Sequence, residues 1–286
     1  LIGRAKIGGT ALPKLKRAEL AAVLNTCLQL FRREALVLVR DEKVSAVHSG
    51  DSVDYSILPI DELLRVLQSS LDVRFPENVF LKGYSDHSVT SAAWMFPKQR
   101  EKLLAIYERM LVANGSAVDA SKFVPGIRFT TSDTGVASAK VSAVLFGGKI
   151  PIPIGGCVSV EHRNRSTVEM FEKSLELLFS QFGNTVKKLQ DLIHVWLNYP
   201  VNAMTRVCKK LCLPKRAAAQ AIAMFRAVIG ETPATAHDVF FALQGVLFEL
   251  EAERVSEGKR LFVEESIMRA LSLDWSEFDL ATGVNY

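Results

Sequence analysis

A chain of 286 residues with an apolar fraction of 49 % and a charged fraction of 23 % has the composition of a globular protein with a sizeable core. No apolar run approaches the roughly 18–20 residues of a membrane-spanning helix. Gly3 to Gly9 also lacks the continuous apolar stretch of a secretory signal, so a cytoplasmic protein with no membrane partner is expected, and Leu1 in place of Met fits a fragment.

The net charge of +4 is unevenly spread. Residues 1 to 33 carry +6, residues 198 to 230 carry +6 with no acid at all, residues 231 to 286 carry −7, and the remainder about −1. Such asymmetry suits a binder of polyanions. Mutual pairing of the basic and acidic segments in the fold is the plainer alternative.

In chain order, Leu36 to Arg40 and Lys43 to His48 are two β-favouring runs around Asp41-Glu42, a hairpin without glycine. Pro59, ahead of Asp61 and Glu62, opens a helix through Leu63, Leu64, Leu67 and Leu71. Val79 to Tyr84 and Ser88 to Phe96 read as a second hairpin around Ser85-Asp86-His87. Pro97 leads into a helix through Leu103, Leu104, Tyr107 and Leu111, stopped by Asn114-Gly115. Gly126 to Thr131 and Val136 to Phe146 flank a Ser-Asp-Thr-Gly turn. Ile150, Ile152 and Ile154 alternate with Pro151 and Pro153, which lack ladder donors, so an edge strand or an extended arm is expected. Val158 to His162 resumes a strand pattern.

After Arg165 the period changes. Ser166 and Glu169 have the spacing of a capping box. Apolar residues then recur from Val168 through Phe171, Leu175, Leu178, Phe182, Val186, Leu189 and Ile193 to Trp196, a mean spacing of 3.5. That predicts one helix of about thirty residues with a seam for a partner helix or another subunit, and with Gly183 as its weak point. Shorter helices follow: one through Met204 and Leu211, one from Lys215 to Val228, one capped by Thr235 with Asp238, and one from Phe262 to Leu271. The fold class is α+β: a hairpin-rich antiparallel sheet with helices over residues 1–165, and a helical region over 166–286 packed on it, the two forming either separate domains or one continuous domain.

No spacing carries a catalytic, cofactor or metal set. Cys27, Cys157, Cys208 and Cys212 are sparse and sit in apolar surroundings, so reduced, buried thiols are expected, and no second ligand pair accompanies Cys208 and Cys212 for a zinc site. Asp133-Thr134-Gly135 matches an aspartic protease triplet, but that chemistry needs two carboxylates and hence a dimer; a β-turn explains it through the Asp side chain and a permissive Gly. His48, His87, His162 and Asp133 fall at strand ends or turns, and a hydrolase built from their convergence is a further alternative. The glycine pairs at 8 to 9, 147 to 148 and 155 to 156 lack the context of a nucleotide loop. Arg206, Lys209, Lys210, Lys215 and Arg216 lie on two short helices joined at Leu213-Pro214, an arrangement similar to a helix-turn-helix. Its second helix is apolar from Ala217 to Met224, which favours backbone contact over base reading. Arg163 and Arg165 form a second basic group.

Leu36 to His48 with Tyr55 to Pro59, then Gly126 to Arg163, then Asp274-Trp275 together resemble the phage- and plasmid-associated domain of unknown function, family nine-three-two. Where that family reads Asn-Ser-His-Asp-Gly, this chain has Thr131-Ser132-Asp133-Thr134-Gly135, and the family's Cys-x-Asn has only a loose counterpart in Gly156-Cys157-Val158. The resemblance implies carriage on a mobile element and no set chemistry. The resulting expectation is a non-enzymatic protein that binds single-stranded nucleic acid through Arg163, Arg165, Arg206, Lys209, Lys210, Lys215 and Arg216, without cofactor or metal. An assembly protein forming a homo-oligomer through the 167 to 197 helix is the alternative.

Overall fold

The computed structural model describes residues 12–30, 37–40, 42–48, 54–86, 89–148, 150–230 and 232–283. Leu36, Asp41, His87, Ser88 and the glycine pair at 8 to 9 lie outside them. Five strands form the central antiparallel sheet: β3 (Val79–Ser85), β4 (Thr90–Met95), β5 (Val124–Thr131), β6 (Ala139–Phe146) and β7 (Ile152–Val160), in that spatial order. The first hairpin, β1 (Val37–Arg40) with β2 (Lys43–Val47), is a separate two-stranded sheet with Arg40 opposite Lys43. With the helices between and after the strands, this is the α+β architecture expected from the period changes.

The strands explain their own sequence. On β5, Ile127 and Phe129 point to one face, and their partners Ala143 and Val141 on β6 and Trp94 and Ala92 on β4 point the same way. Two-residue periodicity sends Arg128 to the other face. There it forms a buried ion pair with Glu264, while Lys140 pairs with Glu265 at 2.7 Å. β7 is an edge strand, as its prolines require, and Pro153 lies opposite Val144. It bends where the register slips beside Gly155 and Gly156, at φ +89° and +66°.

Helices α1 (Arg17–Leu30), α2 (Ile60–Arg74) and α3 (Arg100–Ala113) belong to the first half. No helix was expected in residues 1 to 33, and α1 is an addition to the sequence reading. The long helix expected after Arg165 is broken. It comprises α4 (Val168–Ser180), a short 3-10 turn at Phe182–Asn184 and α5 (Lys187–Ile193). The cap also moves by one residue: Thr167 Oγ1 accepts from Met170 N at 3.4 Å, and the Ser166 hydroxyl turns back to Arg163 O at 2.6 Å. The 3.5-residue seam is real but spent within the chain. Phe171, Leu175, Leu178, Phe182, Val186, Leu189 and Ile193 are all buried, with α4 packed on α2 and β7. The sequence pattern asked for a lengthwise partner, and the sheet and neighbouring helices supply it.

The remaining helices are α6 (Pro200–Lys210), α7 (Lys215–Ile229), α8 (Ala236–Ala252) and α9 (Glu257–Met268). Two short paired strands, β8 (Trp196–Leu197) and β9 (Ala234–Thr235), tie the entry of α6 to that of α8. The box at Thr235 and Asp238 caps α8 as read, with Asp238 N donating to Thr235 Oγ1 at 3.2 Å. One cluster of buried apolar residues runs from Leu58 to Trp275 without a gap at residue 165, so the change there is of secondary structure and not of core. Among the described residues no helix is long and apolar enough to cross a membrane.

Candidate functional site

Two groups of polar residues stand out, one at the end of the sheet and one at the corner between α6 and α7. At the sheet end His48, His162 and Asp133 do come together, while His87 lies outside the described residues. Residues 54–56 run beside the β7 exit, with an isolated bridge between Tyr55 and Arg163. Tyr55 OH donates to Asp133 O at 2.8 Å. His162 Nε2 lies 3.3 Å from Thr131 Oγ1, and its Nδ1 lies 3.3 Å from Ser56 O. A carbonyl only accepts, so Nδ1 carries the proton and Nε2 accepts from the threonine hydroxyl. Burial lowers the His162 pKa, which matches a neutral ring. His48 likewise donates from Nδ1 to Thr134 O at 2.7 Å, and its ring lies 4.5 Å from that of Tyr55. Burial, with Asp133 nearby, pushes the Tyr55 hydroxyl up to about 12.

An open cleft of about 490 Å³ lies over this cluster, lined by His48, Asp54, Ser138, Glu161, His162 and Arg163. Arg163 pairs with Glu161, and Asp54 Oδ1 accepts from Asn164 N at 3.0 Å. Asn164 and Arg165 both have left-handed backbones, φ 56° and 57°, a strained turn that Asp54 and Ser56 hold through the N–H groups of Asn164 and Ser166. The recorded bonds of these side chains run to other parts of the chain, and they clasp residues 54–56 onto the sheet. Acids outnumber free cations on the rim, which does not favour an anion.

The triplet at 133 to 135 is a turn, but the Ser132 side chain organises it. Ser132 Oγ accepts from Thr134 N and Val136 N, both at 3.2 Å, and Gly135 takes φ +68°. A Cβ at Gly135 would lie 3.0 Å from the Tyr55 ring and 3.1 Å from His48, so the close approach also requires glycine.

The second group has a different character. α6 ends in Lys209 and Lys210, and the chain turns through Cys212 at φ 52°. α7 then begins with Lys215 and Arg216 behind Pro214, with no side-chain cap and no acid in its first turn. Cations at a helix start oppose the helix dipole and leave backbone N–H groups open, so the corner is unfavourable by itself and favourable for an anion. All four cations are exposed. Among the described residues the ion pair recorded for this group is Arg216 with Glu253 at 3.2 Å. The acidic C-terminal segment therefore neutralises one of the four, and the plain pairing of basic with acidic stretches is partial here.

Arg206 does not share that corner's exposure. Its Nη2 donates to Thr282 O at 2.8 Å and its Nε is buried. With Asn202, which donates to Leu280 O and Ala281 O, it fastens the end of the chain along α6. The α7 face from Ala217 to Phe225 is buried against α8 and is not a groove-reading surface. Arg163 and Arg165 sit at the sheet end, and among the described residues no hydrogen bond or ion pair joins them to the α6–α7 corner.

The cysteines depart from expectation. Cys208 is buried, but Cys157 and Cys212 are exposed and Cys27 is half-buried, and none of the four is in a disulfide. Cys212 lies beyond the end of α6, so it does not share a helix face with Cys208. Burial raises the Cys208 thiol to about 12. Among the described residues no group of three or more His, Cys, Asp or Glu side chains is arranged to hold a metal ion. Comparison with known protein families, curated proteins and solved structures finds no match for this chain.

Proposed function

We propose that this protein binds the phosphate backbone of single-stranded nucleic acid at the corner between α6 and α7, without catalysing a reaction. The observation that supports it is the uncapped start of α7 carrying Lys215 and Arg216, faced by Lys209 and Lys210 at the end of α6. A helix start presents N–H donors to an anion, and the exposed Lys209, Lys210 and Lys215 supply the charge. The contact is to phosphate and so carries little base specificity. Arg163 and Arg165 would be a separate, weaker contact, since Arg163 is paired with Glu161. Arg206 is left out of the surface because its guanidinium holds the chain end. Carriage on a phage or plasmid, which the resemblance to family nine-three-two implies, is part of the same proposal.

Anisotropy of a labelled oligothymidylate, titrated over a range of salt, tests this reading. With Arg216 paired to Glu253, neutralisation of three phosphates by Lys209, Lys210 and Lys215 gives a slope of log K against log salt of about −2, from about 0.7 per phosphate on a single strand. Lys210→Gln with Lys215→Gln should flatten the slope by about 1.4, whereas Arg165→Gln should change it less. Absence of binding at low salt, or a slope unaffected by the double variant, removes the proposal.

A further inference from the structure

A second site lies apart from that corner. A cavity of about 550 Å³ opens where the end of α3 and the loop after it meet α7, α8 and the β8–β9 pair. Its size is that of a small-molecule site, and its walls are mostly apolar. Met224, Phe225 and Val228 come from α7, Phe241 and Ala242 from α8, and Trp196 stands on β8. Several of these groups are left bare: Val228 is 87 % exposed, Trp196 61 % and Met224 50 %.

Among the lining residues one side chain carries a full charge, Asp238. Its Oδ2 is committed to the start of α8, accepting from Thr235 N at 3.0 Å and from Thr235 Oγ1 at 2.7 Å. Its Oδ1 has its nearest recorded partner, His237 Nδ1, at 3.9 Å, beyond hydrogen-bond reach. That nitrogen is itself buried without a partner, while Nε2 meets Tyr107 OH at 2.6 Å. Burial acts to raise the Asp238 carboxyl, but the His237 ring and the Thr235 donors outweigh it and hold it below its ordinary value. The group is therefore a carboxylate, with half its hydrogen-bonding capacity unspent, at the wall of an apolar cavity that no Lys or Arg lines.

We infer that this cavity binds a small apolar amine, its hydrocarbon body against Met224, Val228 and Phe241 and its ammonium group on Asp238 Oδ1. The geometry selects against the other head groups. A carboxylate head would meet like charge with no cation to relieve it. A neutral hydroxyl would also donate to the carboxylate, but it brings no positive charge, so the attraction between two unit charges is gained by the ammonium alone.

Trp196 gives the test its signal, because Trp94 and Trp275 are 3 % and 2 % exposed. The full chain is titrated with octylammonium, 1-octanol and octanoate, each below its aggregation limit, and tryptophan emission is followed. Octylammonium should give a saturable blue shift, bind about tenfold more tightly than 1-octanol, in line with an attraction between unit charges worth about 1.4 kcal/mol at a partly exposed carboxylate, and far more tightly than octanoate. Asp238→Asn keeps an acceptor for the Thr235 cap and should bring the amine down to the affinity of the alcohol. Ala242→Phe, at a half-buried position that fills the cavity, should abolish binding of both. Calorimetry on Trp196→Phe should still register the amine. Equal affinity for the three head groups, a preference for the amine that survives Asp238→Asn, or no saturable change with any of them would overturn the inference. Should Asp238→Asn fail to fold, the ranking in the unaltered chain and its loss in Ala242→Phe decide the matter.

Discussion

Cys212 holds a backbone conformation that glycine normally provides. At φ 52° it ends α6 with Leu213 N bonded to Cys208 O at 3.0 Å and its own N bonded to Lys209 O at 3.0 Å, the two bonds of a Schellman cap. A residue with a Cβ pays about 1–2 kcal/mol there, while glycine adds about 0.5–1 kcal/mol of unfolded-state entropy. Cys212→Gly should therefore stabilise the chain by up to about 1 kcal/mol, read as a higher urea midpoint at unchanged slope. A lower midpoint refutes it. Glu264 gives a second residue-level prediction. Burial raises its carboxyl to about 6, against the attraction of Arg128, from an ordinary value of 4.5. Between those two values the folded chain keeps a proton that the unfolded chain has lost, so this group's contribution to stability falls as pH rises through the window. The full penalty, about 2 kcal/mol at about 1.4 kcal/mol per pKa unit, applies above pH 6. Buried His162 acts with the opposite sign, since its lowered pKa makes the unfolded chain take up the proton first as pH falls. Comparing the unaltered chain with Glu264→Gln, which can still accept from Arg128, isolates the carboxyl. The stability difference should shift across the window in favour of Glu264→Gln as pH rises, and a constant difference would sink the assignment.

At the scale of elements, what was legible follows from how local each signal is. The hairpins, the Pro59 and Pro97 helix starts and the Thr235 cap rest on a few neighbouring residues, and the structure has them where the sequence places them. The edge position of β7 followed from the missing donors of Pro151 and Pro153. The long helix failed because a mean spacing of 3.5 does not register a one-turn break. Phe182 and Val186 stay in phase across the 3-10 turn at Gly183, so the pattern survives although the helix does not. The α6–α7 corner was visible as charge, yet the tethering role of Arg206 depends on Thr282, far along the chain. The cavity beside Asp238 was invisible for the same reason: a capping-box carboxylate has no signature distinguishing a spent oxygen from an available one. The cap itself yields a prediction. Thr235 is buried and bonds Asp238 in both directions, so Thr235→Ala should cost about 1–2 kcal/mol. Thr167, whose bond from Met170 N is long at 3.4 Å and whose side chain is exposed, should cost less on the same change. Chemical denaturation of the two variants checks the order, and equal losses would show that the reciprocal bonds add nothing.

For the whole molecule, the continuous core bears on whether the sheet-containing and helical halves unfold separately. β5 and β6 direct Phe129 and Val141 into the same buried cluster as Phe171 and Leu175 of α4 and Trp275 near the end of the chain. Phe129 and Phe171 lie 5.8 Å apart in an edge-to-face contact. A sheet stripped of residues beyond 165 would expose this face to water, at about 25 cal/mol per Å² of apolar surface. The sheet half is thus expected to need the helical half for stability, and the two should melt together. Trp94 and Trp275 are suited to report it. One sits in β4 with its ring nitrogen on Gln68 at 2.9 Å, the other in the final 3-10 turn with its ring nitrogen on Ala270 O at 3.1 Å. Two variants, each with Phe at the other two tryptophan positions, leave a single reporter in either half. Within each variant the fluorescence transition in urea should coincide with loss of far-ultraviolet dichroism, because a two-state chain gives every probe the same midpoint. The comparison is made inside each variant since the Phe replacements alter stability by different amounts. A Trp275 signal that changes well before the dichroism, or a Trp94 signal well after it, would mean that the helical half opens alone and that residue 165 is a domain boundary after all.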